Sequence, residues 1–506
     1  MKLDSNSVIG IVGAGIMGRG IAQVAAKAGH KVVLYDNWDG AVDNAMKINE
    51  KELSRLVQKG KITQESKDIT ISLIVPTMDI NDLSPCRLII EAIIENLEIK
   101  QKVFKEIEGI CEDVVIASNT SSISISALAN GMKKPQNIIG MHFFNPAPIM
   151  KLVEVIAGLL SDKKIIQDVY DLAHSWSKKA VHVKSSPGFI VNRIARPFYA
   201  EALRIYEEGV CDFATIDEAI RSSGKFRMGP FELMDLIGND TNYAVTESTF
   251  NSYYQDPKFK PSLTQQEFSQ AGLLGRKSGI GFYEYKDSKQ QGRDDFSTVL
   301  ASNLEINNIT ICGDLGVANK LIFMFENSGI KVDKKDGDGY ISFNGIKLYL
   351  ANGKMISQIS KENNEKNIAQ FDVSLDYENS LHVTVATSLL ANKDTKNHIA
   401  ALFEKIDKKV LLVKDTPAMI MLRTVCMLVN EASSAVTCGV CDVKSADVAM
   451  ENGVNYPIGA FKWADYLGID FVLAVLNHLE NFYKDGRYRA DRGLIEMNIL
   501  ENSYYE

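Results

Sequence analysis

The first 186 residues change repeatedly between uninterrupted apolar runs and amphipathic stretches. The apolar run at residues 8–12 predicts a buried strand, and residues 31–36 predict a second one. Between them the pattern predicts a helix through residues 21–25 that Gly29 ends. Similar runs predict further strands at residues 88–90, 114–117, 138–141 and 152–156. Because buried parallel strands are apolar on both faces, we expect a parallel α/β sheet here.

After residue 186 the pattern becomes helical. Residues 189–255 show helical periodicity without strand alternation, and the region ends in a Gly/Lys-rich loop at residues 275–279. A polar linker at residues 287–295 follows, and its composition predicts a domain boundary. The sequence therefore predicts an all-α domain behind the α/β domain.

The chain also resembles itself. Residues 308–332 align with residues 8–32 at a constant shift of 300, and residues from 408 onward align with those from 178 onward at a shift of 230. We interpret this as a tandem duplication whose second copy has lost 70 residues. The predicted domains are a Rossmann domain (1–186), a helical domain (187–286), a degenerate, shortened Rossmann-like domain (296–407) and a second helical domain (408–506).

Composition narrows the class of protein. The formal net charge of −8 shows no basic surface for nucleic acid. No run approaches the roughly 18 apolar residues of a membrane span, and the first residues carry no apolar secretory core. Seven scattered cysteines favour a reducing cytoplasm over a disulfide framework. Cys438 and Cys441 have CxxC spacing, but no second pair or nearby histidine predicts a metal site.

A glycine-rich turn joins the first strand to the first helix. Gly13, Gly15 and Gly18 form a GxGxxG pattern, and Asp36 ends the next strand. In this context the pattern indicates dinucleotide binding, with the pyrophosphate at the helix N-terminus and Asp36 on the adenosine ribose. Because Asn37 rather than arginine follows Asp36, NAD is favoured over NADP. The alternative is a glycine-rich turn that is purely structural.

A histidine and a carboxylate lie on neighbouring predicted strands. His142 ends one strand and Glu154 lies in the next, and the polar segment 118–122 follows an earlier strand. A histidine oriented by a carboxylate is a minimal general base, as an alcohol oxidation requires. The residues alone leave open that His142 is structural.

Seven segments resemble the 3-hydroxyacyl-CoA dehydrogenase family. In chain order they are residues 13–18, 91–96, 118–122, 142–146, 187–193, 229–232 and 275–279. The second helical copy, with residues 453–468 and 487–489, resembles the long 3-hydroxybutyryl-CoA dehydrogenase form associated with phenylacetate breakdown. The resemblance implies reversible NAD-dependent oxidation of a (3S)-3-hydroxyacyl-CoA, such as 3-hydroxybutyryl-CoA, to the 3-oxoacyl-CoA, without a metal.

The resemblance also implies roles for individual residues. His142 is the base, Glu154 orients it, Ser121 and Asn192 hydrogen-bond the substrate oxygens, and Lys59 contacts the CoA phosphates. The implied NAD contacts are Gly13, Gly15, Ile16, Met17, Gly18, Asp36, Glu95, Lys100, Ser121, Asn145 and Lys277.

One position departs from the family pattern, because Ser185 replaces a common acidic residue that the second copy retains as Asp415. We expect this to affect the hinge between domains rather than the chemistry.

Two other functions fit parts of the sequence. A dehydrogenase of free hydroxy acids typically uses a lysine base, so the His–Glu pair disfavours it. A catalytically idle NAD-binding scaffold fits the second copy better than the first.

Because the predicted substrate contact Asn192 becomes Leu422 while Arg193 is kept as Arg423, we expect the two helical copies to pack as an intramolecular pseudo-dimer. Further homo-oligomerisation stays open.

Overall fold

The computed structural model describes residues 3–287 and 289–505. Its backbone contacts divide the chain into two compact units. The first unit holds the residues up to Arg193 together with Cys438–Val454, and the second holds Ile194–Thr437 together with Asn455–Glu506. A segment from the C-terminal part of the chain is thus part of the N-terminal unit.

An eight-stranded sheet forms the centre of the first unit, in the order β3-β2-β1-β4-β5-β6-β7-β8. Its strands are β1 (Ile9–Val12), β2 (Val32–Tyr35), β3 (Ile74–Thr77), β4 (Leu88–Glu91), β5 (Val115–Ser118), β6 (Ile138–Phe143), β7 (Leu152–Ala157) and β8 (Lys179–Lys184). Every residue of β1, β4, β5 and β6 is buried, as their apolar runs predict. A Rossmann-like α/β domain with a largely parallel sheet is confirmed.

Helices cover both faces of this sheet. They are α1 (Ile16–Lys27), α2 (Ala41–Gln58), α3 (Gln64–Ser72), α4 (Leu97–Ile110), α5 (Ile125–Leu128), α6 (Lys163–Ser175) and α7 (Val191–Ile194). The helix α17 (Val443–Gly453) packs on β7 and β8. Small residues on α1, among them Ala22, Ala25 and Ala26, are buried against the strands and let the helix approach the sheet closely.

The predicted direction of one strand is wrong. Residues 152–156 form a strand as expected, but β7 runs antiparallel to β6. Only eight residues, 144–151, connect the two strands, whereas a parallel crossover needs about a dozen or more. The short connection therefore forces the reversal, and it pairs His142 directly with Glu154 across the two strands.

The second unit contains helices from both helical regions and from residues 296–407 between them. They are α8 (Arg196–Glu207), α9 (Phe213–Gly224), α10 (Pro230–Ile237), α11 (Asn239–Ser252), α12 (Leu263–Gln270), α13 (Lys320–Asn327), α14 (Ile356–Glu362), α15 (Thr395–Glu404), α16 (Met421–Thr437), α18 (Ala460–Leu467), α19 (Ile469–Tyr483) and α20 (Arg492–Ile499). No strand occurs in Ile194–Gln270, so the predicted helical region is confirmed for these described residues.

The second unit also contains a sheet, in the order β11-β18-β17-β16-β15-β14-β12-β13. Its strands are β11 (Thr298–Val299), β12 (Asn308–Cys312), β13 (Lys331–Lys335), β14 (Tyr340–Phe343), β15 (Ile346–Leu350), β16 (Ile368–Phe371), β17 (His382–Thr387) and β18 (Lys409–Val413). The strand β14 is antiparallel to both of its neighbours, which the sequence did not predict. A short antiparallel pair of strands, β9 (Tyr285–Lys286) and β10 (Lys289–Gln290), precedes this sheet.

A buried arginine joins α8 to α16 within the second unit. Nε of Arg423 donates to Glu201 at 2.9 Å, and both side chains are fully buried. The terminal nitrogens of Arg423 donate to Glu208, and the hydroxyl of Tyr488 donates to Glu201 at 2.9 Å. Because a buried carboxylate is costly without such partners, this cluster ties the two helices together.

Candidate active site

Three glycines shape the turn between β1 and α1. Gly13 has φ of +101°, and a Cβ there would lie 2.7 Å from the carbonyl oxygen of Ala92. A Cβ on Gly18 would lie 1.7 Å from the carbonyl oxygen of Gly13, so only glycine lets α1 pack this closely. At Gly15 the corresponding space is open, which leaves room for a phosphate group beside the start of α1. The turn therefore fits a dinucleotide pyrophosphate.

The carboxylate of Asp36 stands beside this turn at the end of β2. Its Oδ2 accepts a hydrogen bond from the backbone N–H of Ala14 at 2.7 Å, and its Oδ1 accepts one from the N–H of Trp38 at 2.9 Å. A cavity of about 560 Å³ runs from Gly13 past Asp36 to the apolar side chains of Ile99 and others on α4. Its shape and polarity fit the adenosine half of NAD.

His142 and Glu154 form a buried pair on β6 and β7. Nδ1 of His142 lies 2.7 Å from Oε2 of Glu154, and neither residue is more than 6% exposed. A carboxylate accepts hydrogen bonds only, so this contact places the proton of the neutral ring on Nδ1. Nε2 makes no hydrogen bond to any described residue and can act as a base.

Glu154 also holds the start of α7. Its Oε1 accepts hydrogen bonds from the backbone N–H groups of Ile190 at 2.9 Å and Val191 at 3.1 Å. The carboxylate is thus fixed by three donors from two separate segments of the chain. Asn192, the predicted substrate contact, is the next residue of this helix.

A second carboxylate organises the segment after β5. Glu95 accepts hydrogen bonds from the hydroxyl of Thr120 at 2.6 Å and from the backbone N–H groups of Ser121 at 3.0 Å and Ser122 at 3.1 Å. Burial raises the pKa of Glu95, but these hydrogen bonds and the charge of Lys100 outweigh it and hold the pKa below its usual value. Ser121 is therefore placed by Glu95.

Lys100 lies beneath this carboxylate and is only 1% exposed. Its ammonium donates to Glu91 at 2.6 Å and lies 3.3 Å from Oε2 of Glu95. Sequence reasoning missed Glu91, which also accepts the backbone N–H of Ile93 at 2.7 Å and the hydroxyl of Ser118 at 2.7 Å. An acidic residue at the end of β4 with a lysine nine residues later is the only sequence signal of this network.

The loop after His142 is tied down at two points. The side-chain oxygen of Asn119 accepts the backbone N–H of Phe143 at 2.8 Å. The ammonium of Lys178 donates to the carbonyl oxygens of Ala147 at 2.5 Å and Met150 at 2.8 Å. Burial, followed by the nearby charge of Lys27, lowers the pKa of Lys178 to about 8.

The departure at Ser185 has a local explanation. Its hydroxyl accepts the backbone N–H of Ile125, the first residue of α5, at 3.1 Å. In the second unit the carboxylate of Asp415 accepts the N–H groups of Ile356 and Ser357 at the start of α14. Ser185 thus contacts the start of a short helix, and its effect on the hinge between domains stays a prediction.

For three of the predicted contact residues, no described interaction links the side chain to His142 or Glu154. The side chain of Asn145 is exposed and makes no hydrogen bond within the described part of the chain. Lys59 is exposed at the C-terminal end of α2. Lys277 belongs to the second unit, where its ammonium donates to Asp240 at 2.8 Å and Thr241 at 2.7 Å.

Among the described residues, no group of three or more His, Cys, Asp or Glu side chains is arranged to hold a metal ion. Of the described helices, none combines the length and apolar character needed to cross a bilayer. Cys438 and Cys441 are both free thiols.

Family models match nearly the whole chain. The 3-hydroxyacyl-CoA dehydrogenase NAD binding domain matches residues 8–186, and the C-terminal domain of the same family matches residues 188–285 and 419–503. A 3-hydroxybutyryl-CoA dehydrogenase reduced Rossmann-fold domain matches residues 348–417. The NAD-binding unit is therefore that of a dehydrogenase.

Individual relatives agree with these matches. The chain is 37% identical over 498 residues to 3-hydroxyadipyl-CoA dehydrogenase of Escherichia coli, covering 98% of both proteins. It is 42% identical over 278 residues to 3-hydroxybutyryl-CoA dehydrogenase of Clostridioides difficile, covering 55% of this chain and 99% of that protein. A crystal structure of 3-hydroxybutyryl-CoA dehydrogenase from Escherichia coli superposes with a TM-score of 0.88 at 35% identity, covering 99% of both chains.

The glycine turn, Asp36, the His142–Glu154 pair and these matches lead to one conclusion: the chain belongs to the 3-hydroxyacyl-CoA dehydrogenase family, whose NAD-binding domain it carries at residues 8–186.

Proposed function

We propose that the chain catalyses the reversible, NAD-dependent oxidation of a (3S)-3-hydroxyacyl-CoA to the 3-oxoacyl-CoA, with 3-hydroxybutyryl-CoA or a related acyl-CoA as substrate. The observation that carries this proposal is the buried His142–Glu154 pair, whose Nε2 is unengaged and which shares one compact unit with the dinucleotide turn. The names of the relatives, which cover butyryl and adipyl substrates, support the same substrate class.

In this proposal His142 takes the proton of the 3-hydroxyl group on Nε2. The alcohol becomes a ketone by losing this proton together with a hydride from C3, for which bound NAD would supply the acceptor. Glu154 stabilises the imidazolium that forms and keeps the ring in the tautomer that can accept the proton. We assign the substrate oxygens to Ser121 and Asn192, because Ser121 is held by Glu95 and Asn192 follows the helix start that Glu154 caps.

The remaining NAD contacts extend the same proposal. Gly13, Gly15, Ile16, Met17, Gly18 and Asp36 would hold the pyrophosphate and adenosine ribose, and Glu95 and Asn145 would face the nicotinamide half. We assign Lys100 an indirect role through Glu95, because its ammonium is buried beneath that carboxylate. Lys277 is proposed as a cofactor-side contact on the resemblance alone.

A lysine-lined cavity supports CoA as the carrier. It has a volume of about 530 Å³ and is lined by Lys27, Lys61, Lys151 and Lys178 together with the apolar side chain of Trp176 and others. Ammonium groups next to apolar side chains suit the phosphates and pantetheine of CoA. Lys59, which does not line this cavity, is proposed as an outer phosphate contact from the end of α2.

We further propose that residues 296–407 and 408–506 are a degenerate second copy of residues 1–186 and 187–286. The second sheet follows the order of the first without β3, since β13-β12-β14-β15-β16-β17-β18 matches β2-β1-β4-β5-β6-β7-β8. Within the dinucleotide turn, Leu315 takes the place of Gly15 and is buried in the core, and a Cβ at Gly313 would lie 2.0 Å from the carbonyl of Gly337. The leucine in place of the open position at Gly15 supports the proposal that this turn binds no pyrophosphate.

The positions of the catalytic pair are also changed in the second sheet. At the shift of 230, His142 corresponds to Asp372 and Glu154 to Thr384, which face each other across the strands. Asp372 accepts the backbone N–H groups of Ile420, Met421 and Leu422, so it caps α16 as Glu154 caps α7. Burial raises the pKa of Asp372 to about 6. The helix-capping role has been kept while the base has been lost.

We propose that the two helical copies form an intramolecular pseudo-dimer. The Arg423–Glu201 contact between α16 and α8 supports it, as does a reciprocal pair of backbone hydrogen bonds. In the first unit the backbone N–H of Lys184 donates to the carbonyl oxygen of Val440, and in the second unit that of Lys414 donates to the carbonyl oxygen of Val210. The two donors are 230 residues apart, and so are the two acceptors. Homo-oligomerisation beyond this stays open. A cytoplasmic location is proposed from the seven free cysteines.

Replacing the base tests the chemistry. We expect His142→Ala to lower kcat with NAD and 3-hydroxybutyryl-CoA by about 10²- to 10⁴-fold, because the alcohol proton loses its acceptor. The affinity for NADH, measured by calorimetry, should stay within about twofold, since His142 is assigned to the substrate. His182→Ala on the exposed side of β8 is the matched control and should keep full activity. A His142→Ala enzyme that keeps most of its kcat would remove His142 from the mechanism.

Cofactor choice tests Asp36. We expect kcat/KM for NAD to exceed that for NADP by at least about 100-fold, equivalent to about 2.7 kcal/mol, because the carboxylate repels the 2′-phosphate. Asp36→Ser should narrow this ratio, whereas neutralising the exposed Asp39 on the same loop should leave it unchanged. Equal kcat/KM values for NAD and NADP in the unmodified enzyme would refute the assignment.

Binding stoichiometry tests the second copy. Calorimetry should find one NADH per chain, because Leu315 and the loop at Gly337 fill the second turn. Gly15→Leu, which copies Leu315 into the first turn, should abolish binding altogether. Two NADH per chain, or residual binding of one NADH by the Gly15→Leu variant, would show that the second copy still holds a dinucleotide.

A further inference from the structure

The strand that carries Glu154 is covered by a segment from the far end of the chain. Residues Cys438–Val454 belong to the first unit, and α17 packs on β7 and β8. The backbone N–H of Lys184, at the end of β8, donates to the carbonyl oxygen of Val440 at 2.8 Å. This segment lies between α16 and α18 in sequence, so the C-terminal helical region supplies part of the catalytic unit.

The contact is closest at Gly453, the last residue of α17. A Cβ at this position would lie 2.6 Å from Cδ2 of Leu152 and 3.0 Å from Cγ2 of Val191. Gly453 is not in the left-handed backbone region, so it is the lack of space that requires glycine. Both Leu152 and Val191 are buried, which leaves them little freedom to move aside.

These two neighbours of Gly453 are the immediate supports of Glu154. Leu152 precedes Glu154 by two residues in β7, so both side chains point to the same face of the sheet. Val191 donates its backbone N–H to Oε1 of Glu154 at 3.1 Å. A displacement of either residue would therefore move the carboxylate that orients His142.

Cys441 brings the same segment towards the carboxylate itself. Burial raises the pKa of the Cys441 thiol to about 12, and the charges of Asp442 and Glu154 add to this effect. The thiol is therefore uncharged at neutral pH. Arg193 also acts electrostatically on this thiol, so Cys441 lies among the residues around Glu154 and the start of α7.

The same kind of close approach occurs in the second unit. A Cβ on Gly224, the last residue of α9, would lie 2.6 Å from Cε of Met421. At the shift of 230, Met421 corresponds to Val191. In that unit the helix start is capped by Asp372 and no histidine is paired with it. At this shift Gly453 corresponds to Ser223 and Gly224 to Val454, so the closely packed glycine stands one position apart in the two units, and only in the first unit is it near a His–Glu pair.

We propose that residues Cys438–Val454 are a positioning element for the His142–Glu154 pair, with Gly453 as the positioning residue that sets the place of β7 and α7. The proposal deepens the proposed function and rests on it. It gives the C-terminal helical region a part in catalysis although that region has lost its own reacting groups. Gly453 touches no substrate atom and acts only through Leu152 and Val191.

The test is a methyl group added at the contact and then accommodated. We expect Gly453→Ala to lower kcat about tenfold, because small displacements of catalytic groups are costly, while NADH affinity stays unchanged. Leu152→Val removes the atom that the new methyl would meet, so the double variant Gly453→Ala/Leu152→Val should recover most of the kcat. Lys444→Ala, on the exposed side of α17, is the matched control and should behave as the unmodified enzyme.

A second measurement separates this inference from the proposed function. The downfield proton resonance of the His142–Glu154 hydrogen bond, identified by its loss in His142→Gln, should shift in Gly453→Ala and return in the double variant. This resonance reports on the His142–Glu154 hydrogen bond whether or not any acyl-CoA is turned over. If no acyl-CoA is turned over, the proposed function fails, and the resonance alone then tests the positioning role. A folded Gly453→Ala variant with unchanged kcat and resonance would overturn the inference. So would a parallel loss of kcat, NADH affinity and thermal stability that Leu152→Val does not restore.

Discussion

The structure depends on the hydrogen bonds that one buried carboxylate, that of Glu154, accepts. Glu154 is fully shielded from solvent, and an ionised carboxylate in such a place is stable only if its oxygens are hydrogen-bonded. One oxygen accepts from His142, and the other accepts from the first N–H groups of α7. The same group therefore orients the ring of His142, links the antiparallel strands β6 and β7 and anchors the helix that carries Asn192. In the proposed mechanism, the side chain of Glu154 thus serves both the fold and the chemistry.

The second sheet separates these two roles. In the proposed second copy, Asp372 stands at the position of His142, and its side chain accepts the N–H groups at the start of α16 directly. The helix start still has a carboxylate as its acceptor, but this carboxylate comes from the end of the strand that corresponds to β6 and has no histidine to orient. Lys408 likewise donates to the carbonyl oxygens of Ser380 and Glu378, as Lys178 does to those of Ala147 and Met150. The contacts that persist between the two proposed copies in this region are therefore the helix cap and the lysine hydrogen bonds, which hold the fold together.

Features that are local in sequence were predictable. The glycine turn and Asp36 lie within one βαβ unit, so their spacing indicates a dinucleotide site without coordinates. The His142–Glu154 pair was predictable as residues on adjacent strands, but the direction of β7 was not read correctly, although the short connection of residues 144–151 determines it.

Features that join distant segments were not predictable. The Glu91–Ser118 hydrogen bond, the contact of Ser185 with the start of α5 and the packing of Gly453 on Leu152 each depend on where separate elements meet in space. Apolar periodicity shows that α17 has a buried face, but it does not indicate which surface that face covers. The antiparallel β14 has the same cause, because a strand pattern alone carries no direction.

The most direct measurement of the central claim is NADH formation by the unmodified enzyme, followed by its absorbance with NAD and (3S)-3-hydroxybutyryl-CoA. We predict steady NADH production that reverses with acetoacetyl-CoA and NADH, and no NADH from free 3-hydroxybutyrate. Oxidation of the free hydroxy acid in preference to its CoA ester, or binding of NADH without turnover of 3-hydroxyacyl-CoA esters of four to six carbons, would contradict the account.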